Sequence, residues 1–245
     1  MTRSIRAVLF DLYGTLLAFG DMEKAWRAWG GLIYERMLRA GGRIDRTTWP
    51  GLLEDVFSAA EPAPEVEGLT VHEARMMALA EEVGATRFGP DDARAMATDG
   101  LALWQREVEL APDCRQVLAT LRERGYATGL VTNFDHPPHV EKLIEEHRLR
   151  PLLDVVVISG AVGLKKPDPA IMAVALVALD VPASEAVFVG DSPEDVQAAQ
   201  GAGMTAVSIS HDGDGSRLEG VSPDAWVTSL AEVVTWLEER GGGDA

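Results

Sequence analysis

One cysteine, Cys114, stands in the whole chain of 245 residues. A single thiol excludes an internal disulfide, so a reducing, cytoplasmic setting is expected. It falls in the helical apolar pattern Cys114, Val117, Leu118, Leu121 and reads as a packing residue. Basic residues are also scarce: 22 Lys and Arg oppose 39 Asp and Glu, for a net charge of −17. A surface of that sign repels nucleic acid and anionic membrane alike. A phosphorylated ligand would therefore have to meet a locally positive or metal-bearing site. No apolar run approaches the roughly 20 residues that span a bilayer. The opening MTRSIRAVLFD leaves no room for a separate apolar leader ahead of the first strand. No G-x-G-x-x-G follows a strand, Gly201 and Gly203 being too little for a dinucleotide fingerprint, and no P-loop exists. HDGDGS at 211–216 alternates acids without EF-hand spacing and reads as a solvated loop. There is no internal repeat of solenoid period.

What remains is an ordinary globular composition, 47% hydrophobic and 25% charged, long enough to bury a sizeable core. Residues 5–10 form a short apolar strand. After the Gly14-Thr15 turn the pattern becomes helical for about ninety residues. Trp26, Trp29, Ile33, Met37 and Ala40 recur at helical spacing and close on Gly41-Gly42. The tryptophans suit a packing stripe better than a substrate platform. A second helix follows Thr47, and 61–68 is a loop. Thr70 with Glu73 makes a capping box for a third helix ending at Gly84, and a fourth begins near Pro90.

From Ala111 the rhythm changes to strand–helix alternation. Helices are expected over 112–124, 138–147, 169–179, 194–202 and 230–240. Strands are expected over 127–131, 155–158, 186–189 and 205–209, and the last five residues should be disordered. This predicts an α/β, Rossmann-like parallel sheet with helices on both faces and an inserted all-helical domain. The expected boundaries are 1–18 and 107–245 for the α/β core and 19–106 for the helical cap.

Polar residues cluster at four strand ends, where open parallel sheets place their sites. The first end carries Asp11, Gly14 and Thr15; the second, Thr132 and Asn133. GLKKPDP follows the third with Lys165 and Lys166, and the fourth carries Asp191, Ser192 and Asp195. One chemistry uses them all. A carboxylate attacks phosphorus, paired carboxylates hold a hard divalent cation, hydroxyls bind phosphoryl oxygens and a lysine neutralises charge. Taken singly, each has a plain structural reading, such as a turn cap or the first turn of a helix.

DLYGTLL, VTNF, KKPDP and GDSPED together resemble the four signature motifs of the haloacid dehalogenase-like hydrolase superfamily, and the helical insertion resembles its type 1 cap. The resemblance implies Asp11 as nucleophile, supported by Gly14 and Thr15, and Thr132 with Asn133 as group-binding residues. It implies Lys166 as the motif lysine and Asp191 as a Mg²⁺ ligand with Asp11 and the Tyr13 carbonyl. Ser192 and Asp195 are implied as supporting residues.

Tyr13 departs from the phosphatase pattern, which has an aspartate two residues after the nucleophile to move the leaving-group proton. Haloacid dehalogenases of the superfamily have a DxYGT first motif, because halide leaves without a proton. They carry uncharged residues where this chain has Asp191, and a tyrosine where it has Ile171 and Met172. Their cap arginine has candidates in Arg39 and Arg43. FDHPPH at 134–139 offers His136 and His139 as substitute acids or, more plainly, a helix start. The expectation is a Mg²⁺-dependent phosphatase of a small phosphorylated metabolite. A 2-haloacid dehalogenase and a non-catalytic phospho-ligand module are the alternatives, and the protein would be a monomer or homodimer.

Overall fold

Four consecutive apolar residues, Ala7–Phe10, form β1, and none has accessible surface. A strand covered on both faces needs no polar alternation and belongs inside a parallel sheet. The computed structural model describes residues 4–58, 66–211, 213, 218 and 220–241. Most of the loop expected over 61–68, most of the acid-rich run at 211–216 and the C-terminal residues beyond 241 lie outside that description.

The chain divides into two compact units: Met1–Ala18, Leu110–Phe134 and Val140–Ala245 form the first, Phe19–Glu109 and Asp135–His139 the second. In chain order β1 is followed by β2 (Leu17–Phe19), then α1 (Met22–Arg39), α2 (Trp49–Ser58), α3 (Val71–Glu82) and α4 (Pro90–Trp104). β3 (Val108–Leu110) pairs with β2 in a two-stranded sheet. There follow α5 (Cys114–Glu123), β4 (Ala127–Thr132), α6 (Pro137–Glu146), β5 (Val155–Ile158) and the single turn α7 (Ser159–Val162). The chain ends with α8 (Ala170–Leu179), β6 (Ala186–Gly190), α9 (Pro193–Ala202), β7 (Thr205–Ile209), β8 (Ala225–Val227) and α10 (Leu230–Gly241).

The first unit holds a six-stranded sheet in the order β5-β4-β1-β6-β7-β8, parallel throughout. Ala7 and Leu9 of β1 share one core with Ile171, Met172 and Ala175 of α8 and with Val196 and Ala199 of α9. Strand side chains alternate, so Val8 and Phe10 point to the opposite face. Both are equally buried, and α5 packs against β4 and α10. The result is a Rossmann-like α/β layer structure. Cys114 is buried, and its thiol is pushed up to about 12 by burial and by the neighbouring Asp113, which fits a packing role.

The second unit is helical. Trp29, Ile33 and Met37 of α1 pack with Trp49 and Leu53 of α2, Met76 and Leu79 of α3, and Met96 of α4. Trp29 is 3% exposed, as a packing residue should be. The Thr70–Glu73 capping box opens α3, and Asp92 accepts the Gly89 N–H where α4 begins at Pro90.

Several elements have no counterpart in the sequence reading. β2, β3 and β8 are three residues each, too short for a period-2 pattern, and β8 is an edge strand with Trp226 half-exposed. The unit boundaries also differ from that reading: 107–109 and 135–139 fall with the helices, although only Asn133 and Phe134 separate 135–139 from β4.

Candidate active site

β1 delivers Asp11 at its carboxyl end, where the Asp11 N–H donates to Val189 O (2.9 Å) and extends the sheet by one bond. The register aligns Phe10 with both Leu130 and Val189. Residues just beyond those points, Thr132 on one side and Asp191 on the other, therefore come out at the same edge. The chain turns back at once, Leu17 N–H donating to Leu12 O and Gly14 N–H to Leu17 O, each at 2.7 Å. Gly14 makes that turn at φ +82°, a left-handed conformation suited to glycine.

Lys166 is almost wholly buried, and its ammonium is the centre of the cluster. It donates to Asp11 Oδ1 at 2.6 Å and to Val131 O at 3.2 Å. Asp195 Oδ1 lies 2.6 Å away as an ion pair. The other Asp195 oxygen accepts the Asp191 and Ser192 N–H groups, both at 3.0 Å. This close approach needs a bare backbone: a Cβ on Gly190 would stand 2.3 Å from Asp195 Oδ2. Ser192 caps α9 and completes a capping box with Asp195. Asp195 therefore fixes the 191–192 turn and the lysine together.

Asn133 follows β4 and uses both ends of its amide on one residue. Its Nδ2 donates to Lys166 O and its Oδ1 accepts the Lys166 N–H, each at 2.9 Å. Thr132 is buried at the last position of β4. Thr15 is fully buried, its hydroxyl finds no protein partner, and its carbonyl accepts from His211 Nε2 at 2.9 Å. The Tyr13 ring stacks on Phe134 with centroids 5.3 Å apart and planes 15° apart.

The electrostatics are unbalanced. Three carboxylates face one ammonium, and carboxylate oxygens of Asp11, Asp191 and Asp195 all lie within 4.8 Å of one another. Burial raises Asp11 to about 6, with Lys166 pulling the other way and Asp195 adding to the rise. Burial raises Asp191 to about 7, reinforced by the charges of Asp11 and Asp195. Burial alone would lower Lys166, but Asp11 and Asp195 outweigh it and hold the ammonium charged. Tyr13 is pushed above the ordinary phenol range by burial and by Asp11. A divalent cation would cancel the surplus negative charge, and carboxylate oxygens are the donors a hard ion takes. The residues present fit such an ion: Asp11 and Asp191 stay raised despite the opposing pull of Lys166 on both.

Asp11, Tyr13, Gly14, Thr15, Thr132, Asn133, Lys166, Asp191, Ser192 and Asp195 all belong to the first unit. Two partners in that unit escaped sequence reasoning. His211 sits nearly two hundred residues from Thr15, in a run that reads as a solvated loop, and Phe134 closes the VTNF motif without a role of its own. Neither has a spacing signal, because each is brought in by the fold alone. His136 and His139 lie in the helical unit, where His136 Nδ1 is 2.9 Å from Thr70 Oγ1 and 4.0 Å from Glu73 Oε1. Burial holds His136 below the usual imidazole range, against the pull of Glu73. Arg39 and Arg43 are exposed in the same unit, and Ile171 and Met172 are apolar core.

The family model described as haloacid dehalogenase-like hydrolase matches residues 5–203. This chain is a haloacid dehalogenase-like hydrolase. A phosphoserine phosphatase of Thermus thermophilus is 39% identical over 156 residues, which is 62% of the hydrolase and 59% of that relative. The hydrolase thus spans about three fifths of that relative's length. Among solved structures, a HAD phosphatase from Thermococcus onnurineus aligns at TM-score 0.71 and 26% identity, covering 95% of this chain and 98% of that one. A 2-haloacid dehalogenase from Pseudomonas syringae pv. Tomato DC3000 aligns at TM-score 0.68 and 22% identity, covering 96% and 99%. The last likeness shows a shared fold.

Proposed function

We propose that this hydrolase is a Mg²⁺-dependent phosphatase of a small phosphorylated metabolite, with Asp11 as nucleophile and the helical unit as its cap. The observation that carries the reading is Asp191: a second carboxylate, raised to about 7, gathered against Asp11 and Asp195. A metal-free displacement of halide by Asp11 has no use for it. The similarity to a phosphoserine phosphatase and to a HAD phosphatase supports the same side.

Asp11 Oδ1 is held by Lys166, which orients the carboxylate and leaves Oδ2 as the attacking oxygen. Asp11 attacks phosphorus, the bond from phosphorus to the leaving oxygen breaks, and an aspartyl-phosphate forms on Asp11. Water then attacks that phosphorus, releasing inorganic phosphate and restoring the carboxylate. Lys166 neutralises charge through both steps and is kept in place by Asp195 and by the Asn133 amide. The Thr15 and Thr132 hydroxyls are the groups for phosphoryl oxygens. Mg²⁺, held by Asp11, Asp191 and the Tyr13 carbonyl, would supply charge neutralisation of the phosphoryl group. Tyr13 cannot shuttle a proton near neutrality, since burial and Asp11 push its phenol above its ordinary range. Leaving groups that depart without protonation are therefore favoured.

The second reading, a 2-haloacid dehalogenase, is favoured by Tyr13 itself. One paired assay separates the two: phosphate release from p-nitrophenyl phosphate and halide release from 2-chloropropionate, each with Mg²⁺ and with EDTA. Mg²⁺-dependent phosphate release that vanishes in Asp11→Asn supports the phosphatase. Halide release in EDTA overturns it. A protein that binds inorganic phosphate yet turns over neither is a binding module.

A further inference from the structure

Residue 135 stands at a junction. Asn133 and Phe134 belong to the α/β unit, but the five residues that follow, Asp135–His139, belong with the helices. The junction is held firmly from the helical side. Arg75 of α3, which is buried, donates its Nε to Asp135 Oδ2 at 3.0 Å and also contacts Val56 O of α2. The His72 N–H, one of the donors that the first turn of a helix leaves without an internal partner, donates to Asp135 O at 3.1 Å. Thr70, the N-cap of α3, meets His136 Nδ1 at 2.9 Å. The side chain of residue 135 and the backbone of residue 135 are thus each tied to α3.

On the other side of the junction the two preceding residues reach the reacting groups. Asn133 fixes the Lys166 backbone by its two amide bonds, and the Lys166 ammonium holds Asp11. Phe134 carries the Tyr13 ring, while its own N–H donates to Ser159 Oγ at 2.9 Å and its carbonyl accepts from Gly160 at 3.1 Å. Asp135 follows Phe134 directly in the chain, so no residue stands between them to absorb a shift of the 135 backbone. It passes directly to Asn133 and Phe134, and from them to Lys166 and Tyr13.

We infer that Arg75, through its ion pair with Asp135, is a positioning residue that sets Asn133 and hence the ammonium of Lys166 against Asp11. The inference rests on the reading of Asp11 and Lys166 as the reacting pair. It ties the chemistry to the state of the helical unit by covalent continuity alone. A displacement of about 1 Å in a group that orients a nucleophile lowers the rate by up to about 100-fold, so a modest loosening at 135 is enough to register.

The test uses the full chain with three variants. Arg75→Met keeps most of the stem and leaves the half-buried Asp135 to be solvated. Arg75→Lys restores the charge opposite Asp135. Arg94→Met disturbs the helical unit elsewhere, at the contacts with Asp91 and Gly68 O. The first readout is amide hydrogen exchange at Lys166, whose N–H is the one that Asn133 accepts; it needs no substrate. Arg75→Met should speed that exchange by about tenfold or more, Arg75→Lys should recover most of the protection, and Arg94→Met should leave it as in the wild type. The second readout is p-nitrophenyl phosphate hydrolysis, where Arg75→Met should lower kcat by about tenfold with KM within about twofold. Unchanged exchange at Lys166 in Arg75→Met overturns the inference, and so does an equal change in Arg94→Met. If Arg75→Met does not fold, Asp135→Glu, which keeps the charge and moves it by one methylene, is read in the same way. A wild type that hydrolyses no phosphate ester counts against the phosphatase, while the exchange result still decides the role of Arg75.

Discussion

The Asp191 carboxylate occupies the space that a side chain at residue 14 would need. A Cβ built on Gly14 falls 2.1 Å from Asp191 Oδ2, and the residue already sits at φ +82°. The glycine of the first motif is therefore required twice, once for the turn and once for the acid that arrives from β6. Gly14→Ala should cost about 1–3 kcal/mol for the backbone conformation alone, with the collision in addition. It should also displace Asp191. Urea unfolding should show the lost stability, and titration calorimetry should show Mg²⁺ binding weakened at least tenfold. Normal Mg²⁺ affinity in a destabilised Gly14→Ala protein would separate the turn from the metal site.

The raised carboxylates carry a pH signature. Asp11 and Asp191 each move from 3.8 upward in the folded protein, to about 6 and about 7. The folded state then holds more protons than the unfolded chain between about pH 4 and 7, so these groups' contribution is full below pH 4 and is lost as pH rises through that window. In EDTA, the melting temperature should accordingly carry a falling component across that range. Mg²⁺ competes with those protons, so the stabilisation gained from saturating MgCl₂ should grow from pH 5 to pH 7.5. A Mg²⁺ increment independent of pH would mean that the ion binds away from this pair.

Tyr13→Asp tests what the second position of the first motif does. A carboxylate there can give a proton to the leaving oxygen and take one from water, a contribution of about 10²–10⁴-fold where the leaving group is a poor one. The expected result is a rate on glycerol phosphate that rises at least tenfold relative to the rate on p-nitrophenyl phosphate. The Phe134 ring loses its stacking partner in the same variant, so a loss of about 1 kcal/mol in stability should accompany the gain. A fall on both substrates by the same factor would assign Tyr13 to packing alone.

Strand ends were legible because each announces itself locally: an apolar run such as Ala7–Phe10 stops at Asp11, and Ala186–Gly190 stops at Asp191. The parallel sheet then follows from alternation with helices, and the convergence of Asp11 and Asp191 follows from β1 and β6 being neighbours. Side-chain use was less legible. The sequence reading gave Asn133 to the ligand, whereas both of its amide groups are engaged with the Lys166 backbone 33 residues away. Nothing in VTNF distinguishes those uses, because an amide suits either. The attachment of 135–139 to the helical unit was equally hidden, since it depends on Arg75 and His72, some sixty residues upstream.

Asp191→Asn separates stability from activity by sign. In the metal-free protein at neutral pH, Asp191 is a half-buried acid whose ionised form is disfavoured by partial burial first and then by Asp11 and Asp195. Replacing it with the neutral isostere removes that penalty and keeps the volume. The EDTA-treated variant should therefore melt higher than the EDTA-treated wild type, and the difference should widen from pH 6 to pH 8. The same change removes one of the carboxylates proposed to hold the cation, so the upward shift of the melting temperature on adding Mg²⁺ should shrink or vanish. Phosphate release should fall by about 100-fold or more, because neutralisation of the phosphoryl group is lost while Asp11 and Lys166 remain. A protein that is more stable without metal, blind to Mg²⁺ and nearly inactive is the combination expected of a metal carboxylate. Asp191→Asn with full activity in EDTA would instead make the acid a structural group and return the first motif, Tyr13 included, to the metal-independent reading.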